Sequence, residues 1–132
     1  MHRVSFLCSL LLAFTTLASA EDTVIVHPAS AVAGLGADEV KDLFLGRKGN
    51  WPDGSKVTVA VVKDHEGFAA LVGKSSSQFV TGWKKLVFTG KGVMPEILDS
   101  PEAVAAFVAK TPGAIGYVDA SKAGGCKPIA IK

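Results

Sequence analysis

The chain has 132 residues, of which 48% are hydrophobic and 20% are charged, and its formal net charge is +2. This composition is typical of one folded domain and argues against two. The densest basic cluster is Lys84-Lys85, in an otherwise balanced chain. Nucleic-acid-binding domains usually carry a larger basic patch, so we expect no nucleic-acid partner.

The N-terminal residues 1–20 have the pattern of a secretory signal. An apolar run over residues 4–13 follows Arg3 and precedes the small-residue sequence Ala18-Ser19-Ala20, which signal peptidase accepts. The apolar run is shorter than the ~20 residues that a transmembrane helix needs. We therefore predict a signal peptide at 1–20, cleavage after Ala20, a periplasmic location and one mature domain at 21–132.

The mature chain would keep a single cysteine, Cys126, because Cys8 lies in the predicted signal peptide. One cysteine cannot form an internal disulfide. We expect Cys126 to be partly buried, with pairing between two chains as the alternative.

The first half of the mature sequence predicts a strand, a helix and two loops. A β-branched run over residues 23–27 stops at Pro28 and predicts a strand, and residues 29–36 predict a loop. Residues 37–45 predict a helix that ends at Gly46. Its apolar face is Val40, Leu43, Phe44 and Leu45. The turn-forming residues of 47–56 predict a connecting loop.

The second half continues the alternation of strand and helix. Residues 57–62 are a continuous apolar run, which predicts the central strand of the sheet, covered on both faces. Residues 65–72 and 76–88 predict helices, the second with a serine cap and an apolar face of Phe79, Val80, Trp83 and Val87. After a loop at 89–95, Ser100 caps a helix over 101–109 that buries Val104, Phe107 and Val108. Residues 114–118 predict a strand, and 128–131 a last edge strand.

Two segments together resemble one protein family. Residues 40–47, with Trp51 and the turn after it, resemble the "helix, F-L-G-K, then W" segment of phosphate-type periplasmic substrate-binding proteins of ABC transporters. Residues 106–118 resemble the same family's "F-V…T-P-G-A-I-G-Y-V" segment. The alternative is that these are ordinary helix stops and strand entries of any α/β domain.

The resemblance covers residues 23–120 and implies an α/β fold: a single lobe of a type 2 periplasmic-binding-protein-like fold, with a mixed sheet flanked by helices. In complete members of that family, the anion lies in a cleft between two lobes. Backbone amides at helix N-termini and side chains from both lobes hold it. This sequence corresponds to one lobe, so we expect weaker binding than in the family.

The family's anion contact from this lobe follows the strand at 57–62, in a segment resembling R-x-D-G-S-G-T. Lys63 stands at the position of the arginine, but residues 67–69 replace the serine, glycine and threonine, so both hydroxyl donors are missing. Asp64 and Glu66 would repel a phosphate. The resemblance implies a weak anion site of Lys63, Asp64, His65 and Gly67; the alternative is a solvated loop that opens a helix.

Other candidate motifs are weaker indications of a binding site. Gly34-Leu35-Gly36 lacks the Lys-Ser/Thr ending of a phosphate-binding P-loop, and Gly90-Lys91-Gly92 fits an ordinary turn. Residues 75–77 fit a linker and helix cap, although a serine there could face the same cleft. His27 and His65 do not make a metal site by spacing alone. We therefore expect no metal and no cofactor, and we see no catalytic set of residues.

The sequence thus predicts a secreted, non-enzymatic domain that binds or presents inorganic phosphate or another small oxyanion weakly. The alternative is a periplasmic interaction or sensor-accessory module that has lost its ligand. In either case the expected protein partner is a transporter or sensor membrane protein, or a second copy of the chain.

Overall fold

The structure, a computed structural model, describes residues 22–131. The predicted signal peptide, its cleavage site and Cys8 lie outside these residues. Between residues 22 and 131, no helix combines the length and the apolar character needed to cross a membrane.

A mixed sheet of six strands forms the centre of the fold, in the order β2-β6-β1-β5-β3-β4. Strand β1 runs antiparallel to both of its neighbours, β5 and β6, whereas the other neighbouring strands are parallel. The strands are β1 (Asp22–Val26), β2 (Gly34–Leu35), β3 (Thr58–Val62), β4 (Glu96–Leu98), β5 (Ala114–Asp119) and β6 (Lys127–Ile131).

Four α-helices accompany the sheet: α1 (Ala37–Phe44), α2 (Glu66–Val72), α3 (Ser76–Phe88) and α4 (Pro101–Lys110). Each lies within one residue of its predicted bounds, because local signals fix the ends. The Ser75 hydroxyl accepts the Gln78 N–H and forms a capping box, and Ser100 accepts the N–H of Ala103. The mixed sheet with flanking helices confirms the predicted α/β class.

Apolar side chains pack on both faces of the sheet, because neighbouring residues of a strand point to opposite sides. Val24 and Val26 of β1 join the cluster that contains Phe44, Phe68 and Trp83 from α1, α2 and α3. Ile25, between them, joins the cluster built on α4. Strand β3 divides in the same way, so its predicted coverage on both faces is confirmed.

The predicted positions in the sheet are wrong for two strands. Strand β3 is interior but not central, since β1 and β5 occupy the middle and β4 lies outside β3. Strand β6 is not an edge strand, because β2 pairs with it. Both errors come from β2 and β4, which have two and three residues and fell inside predicted loops or unassigned sequence.

The burial of three side chains differs from the sequence-based prediction. Val87 is 42% exposed, and Leu86 packs against the core instead. Phe107 is only partly buried, whereas Val104 and Val108 are fully buried. Cys126 is buried, and its Sγ lies 3.0 Å from the carbonyl oxygen of Ala105, to which it donates. Its burial disfavours pairing with another chain.

Candidate functional site

The turn between β3 and α2 carries three of the four predicted anion-binding residues, Lys63, Asp64 and His65, and the fourth, Gly67, lies in the first turn of α2. Strand β3 ends at Val62, and the Lys63 N–H donates to the carbonyl oxygen of Leu98 at 2.8 Å, which ties the turn to β4. Lys63 and Asp64 are exposed. Asp64 has a φ of 54°, and among residues 22–131 no other non-glycine residue is left-handed. This conformation turns the chain sharply from the strand into the helix.

His65 points towards the sheet instead of capping α2 with its side chain. Its Nε2 lies 3.4 Å from Oδ1 of Asp22, the first residue of β1. Its ring is tilted against that of Tyr117 on β5, with 5.8 Å between centroids. Its Nδ1 is buried and has no hydrogen-bond partner among the described residues. Residues of β1 and β5 therefore contact the imidazole ring.

Gly67 lies directly against the carboxylate of Asp22. A Cβ added at Gly67 would overlap Asp22 Oδ2 and would come within 3.3 Å of His65 Nε2. A side chain at position 67 would therefore displace Asp22. The chain places its own negative charge at the position where the resemblance expects a hydroxyl donor.

The same carboxylate acts on Tyr117. Burial is the main reason that the pKa of the Tyr117 phenol is raised, and the negative charge of Asp22 raises it further. The phenol therefore stays neutral at physiological pH and adds no charge next to His65.

A cavity of about 470 Å³ opens beside the turn, between α2, α3 and β4. Lys63, Asp64 and His65 line it, but Gly67 does not. The structure thus brings three of the four predicted residues to one cavity and leaves the fourth beside Asp22.

Two further lysines face this cavity, Lys74 before α3 and Lys84 within it. Neither they nor Lys63 form an ion pair with any residue of the part of the chain that the structure describes. Asp64 is the one carboxylate of the lining. Three cationic groups against one anionic group give the cavity a net positive charge that favours an anion.

Ser75, Ser76 and Ser77 also line the cavity. The sequence indicates that a serine of this segment could face the anion site. The Ser75 hydroxyl accepts the Gln78 N–H in the helix cap, and its oxygen lies 3.4 Å from that of the Ser77 hydroxyl. Ser76 and Ser77 are exposed and can donate to a ligand. They supply hydroxyl donors that are absent from residues 67–69.

Metal binding has no comparable support. Within residues 22–131, no group of three His, Cys, Asp or Glu side chains is arranged to hold a metal ion. The lysine ammonium groups and serine hydroxyls around the cavity can donate hydrogen bonds to an anion.

Two tryptophans connect the segments that carried the family resemblance. The Trp51 indole N–H donates to the carbonyl oxygen of Gly113 at 2.9 Å, which joins the W-P-D-G turn to the T-P-G turn. The Trp83 indole N–H donates to the carbonyl oxygen of Phe44 at 2.9 Å, at the end of α1. These motifs therefore hold the fold together and lie apart from the cavity at Lys63.

No protein-family model matches the sequence, and no curated protein matches it. The structure is similar to that of a protein assigned as a phosphate ABC transporter substrate-binding protein, from Clostridium perfringens and with bound phosphate. The TM-score is 0.68 at 20% identity, over 85% of this chain and 45% of that one. The chain has the fold of one lobe of a phosphate substrate-binding protein.

Two further solved structures share this fold. An ABC-type phosphate transport receptor from Vibrio cholerae matches with a TM-score of 0.63 at 17% identity, over 83% of this chain and 45% of the receptor. PstS from Borrelia burgdorferi matches with a TM-score of 0.62 at 13% identity, over 86% and 47%. The chain therefore spans less than half the length of these proteins, and the likeness concerns the fold alone.

The family resemblance identified some of the residues around the turn between β3 and α2 and missed others. The resemblance located the four predicted residues directly after β3; Lys63, Asp64 and His65 lie on the turn there, and Gly67 lies in the first turn of α2. It missed Asp22, because only the pairing of β1 with β5 brings that carboxylate to His65. It also missed the residues of α3 that line the cavity. Val80 and Lys84 are four residues apart and therefore share one helix face, and this spacing could have indicated that they line the same surface.

Proposed function

We propose that this chain is a non-enzymatic, periplasmic binding domain that binds or presents a small oxyanion such as inorganic phosphate. The observation that supports this most is the set of Lys63, Lys74 and Lys84 around one cavity, without ion pairs among the described residues. A solved protein of the same fold contains bound phosphate. The periplasmic location depends on the predicted signal peptide.

Binding at this corner should be weak. An exposed ion pair contributes roughly 0–1 kcal/mol, and a charge-assisted hydrogen bond about 1.5–3 kcal/mol. A millimolar dissociation constant corresponds to about 4 kcal/mol. Lys63 is exposed and Asp64 opposes an anion, so we expect a dissociation constant in the millimolar range.

Calorimetry of the chain with phosphate and with sulfate tests this proposal. We expect measurable heat and a raised melting temperature at ~10 mM ligand. Lys63→Ala should reduce both effects, whereas Lys110→Ala, at the end of α4 and away from the cavity, should not. Absence of any heat or thermal shift would contradict anion binding by this chain.

A second candidate is an interaction or sensor-accessory module that has lost its ligand. The carboxylate of Asp22 against Gly67 favours it, because a fixed negative charge there repels an oxyanion. Phe88 is also 92% exposed at the end of α3, and Val93 is 65% exposed beyond it. Such apolar surface suits a transporter or sensor membrane protein, or a second copy of the chain.

Size-exclusion chromatography and pull-down from periplasmic extract test this second candidate. A stable complex that is lost with Phe88→Ser, together with no response to phosphate, would favour it. A monomer that captures no partner and binds phosphate would count against it.

A further inference from the structure

The cavity at Lys63 is shaped for more than a simple oxyanion. Its volume of about 470 Å³ lies within the range of roughly 300–1,000 Å³ typical of sites for small organic ligands. Phe68 and Phe79 form part of its wall, with Val80 on α3 and Ile97 on β4. Ile97 is 37% exposed, so part of this apolar surface is open to water.

Charge and apolar surface lie side by side in the cavity. Val80 and Lys84 are four residues apart on α3 and therefore lie on the same face of the helix, and both line the cavity. Lys85 is the next residue and does not line it. A ligand that contacts the ammonium group of Lys84 thus has the apolar wall next to it.

Inorganic phosphate would use only half of this surface. It can interact with the lysines and the serine hydroxyls, but it leaves Val80 and Ile97 in contact with water. A ligand with an apolar body would remove that surface from water as well, and this burial is favourable in proportion to its area.

The charge of the cavity indicates the head group. Three lysines against Asp64 leave an excess of two positive charges, and a phosphate monoester carries about −1.5 to −2 at pH 7. Ser76 and Ser77 add exposed hydroxyl donors for its oxygens. A carboxylate, with one charge and two oxygens, would use fewer of these groups.

We propose that this cavity binds an organic phosphate monoester, a phosphate group on an aromatic or branched aliphatic body, in preference to free phosphate. The proposal rests on the proposed function, because both place an anion beside Lys63. It differs in the role of the apolar wall, which contributes to binding here and has none in the capture of inorganic phosphate.

Three probes measured by calorimetry at constant ionic strength separate the two proposals: phenyl phosphate, inorganic phosphate and phenol. We expect phenyl phosphate to bind about tenfold more tightly than inorganic phosphate, and phenol to give no measurable heat. Equal or tighter binding of inorganic phosphate would overturn this inference and leave the proposed function standing. Absence of binding by both phosphates would overturn both proposals, and binding of phenol alone would overturn this one.

Matched variants then locate the site. Lys84→Gln should weaken phenyl phosphate binding about fivefold, whereas Lys85→Gln on the same helix should leave it unchanged. Ile97→Ser should weaken phenyl phosphate but not inorganic phosphate, and Val93→Ser, outside the cavity lining, should affect neither. Equal losses for Lys84→Gln and Lys85→Gln would show a general charge effect and overturn the assignment. Circular dichroism melting checks that each variant is folded.

Discussion

His65 Nε2 lies 3.4 Å from Asp22 Oδ1, which connects the residue before α2 to the first residue of β1. The other oxygen of the same carboxylate lies against Gly67. One acidic side chain therefore occupies the strand-facing side of the turn that carries Lys63. The cavity beside the turn does not include Asp22 in its lining and is lysine-rich. An anion that approaches this turn is repelled by the Asp22 carboxylate and attracted by the lysines of the cavity.

Removing the charge of Asp22 should strengthen anion binding. We expect Asp22→Asn to raise the affinity for phosphate about two- to threefold, because a like charge near the site is lost while the side-chain shape is kept. Calorimetry at low ionic strength measures the effect. Asp99→Asn, an exposed carboxylate outside the cavity lining, is the control. An unchanged affinity in Asp22→Asn would show that the carboxylate does not act on the bound anion.

Two glycine-to-alanine substitutions within helices should differ in their effect on stability. Gly82 lies inside α3 with open space around it, so Gly82→Ala should raise the free energy of unfolding by ~0.5–1 kcal/mol. Gly67→Ala should raise it less, since the new Cβ overlaps the Asp22 carboxylate, which must rotate away from His65. Urea titrations measure both. In an Asp22→Ala background, Gly67→Ala should give the full helix gain, and failure to do so would mean that Asp22 is not the obstacle.

Gly113 should tolerate no side chain. Its φ is +83°, and an added Cβ would lie 2.5 Å from the carbonyl oxygen of Lys56. We expect Gly113→Ala to cost ~2–3 kcal/mol, because backbone strain is added to a clash with a rigid atom. Thermal unfolding checks this. Gly49→Ala, in the loop before Trp51 and with nothing nearby, should change stability little.

Cys126 should react slowly in the folded chain. Burial raises the pKa of its thiol, so less of the reactive thiolate is present at a given pH. Iodoacetamide should label the peptide containing Cys126 at least ~10-fold more slowly in buffer than in urea, as measured by mass spectrometry. Comparable rates in the two conditions would mean that the thiol is accessible in the folded state.

The same shift in pKa predicts a pH dependence of stability. As pH rises, the thiol ionises first in the unfolded chain, because its pKa there is lower than in the folded state. Its contribution to stability is therefore complete below the unfolded pKa and is lost as pH rises through the folded pKa. Cys126→Ala should reduce the decline in stability above pH ~8.5.

Local signals were enough to locate the four helices. Ser75 and Ser100 mark the starts of α3 and α4, and the apolar spacing within α1, α3 and α4 predicted most of the buried residues of these three helices. The family resemblance gave the fold class and the turn at Lys63. Each of these signals is carried by a short segment whose residues are close together in the chain.

The remaining features depend on contacts between distant residues. Strands β2 and β4 have too few residues to show a periodic pattern, so the order of the sheet could not be predicted. Asp22 gave no sign of its role because its partners, His65 and Gly67, lie in another part of the sequence. Lys74 and Lys84 became candidates only when the cavity brought them to Lys63.

The pairing of β1 also has a consequence for how the lobe folds. This strand lies between β5 and β6, the last two strands of the described chain, and it forms its antiparallel ladders with both. Contacts that close such long loops are slow to form. The centre of the sheet therefore assembles only after residues 114–131 have been synthesised, and a nascent chain that ends before residue 114 leaves both edges of β1 unpaired. Truncation within β5 should leave an aggregation-prone fragment.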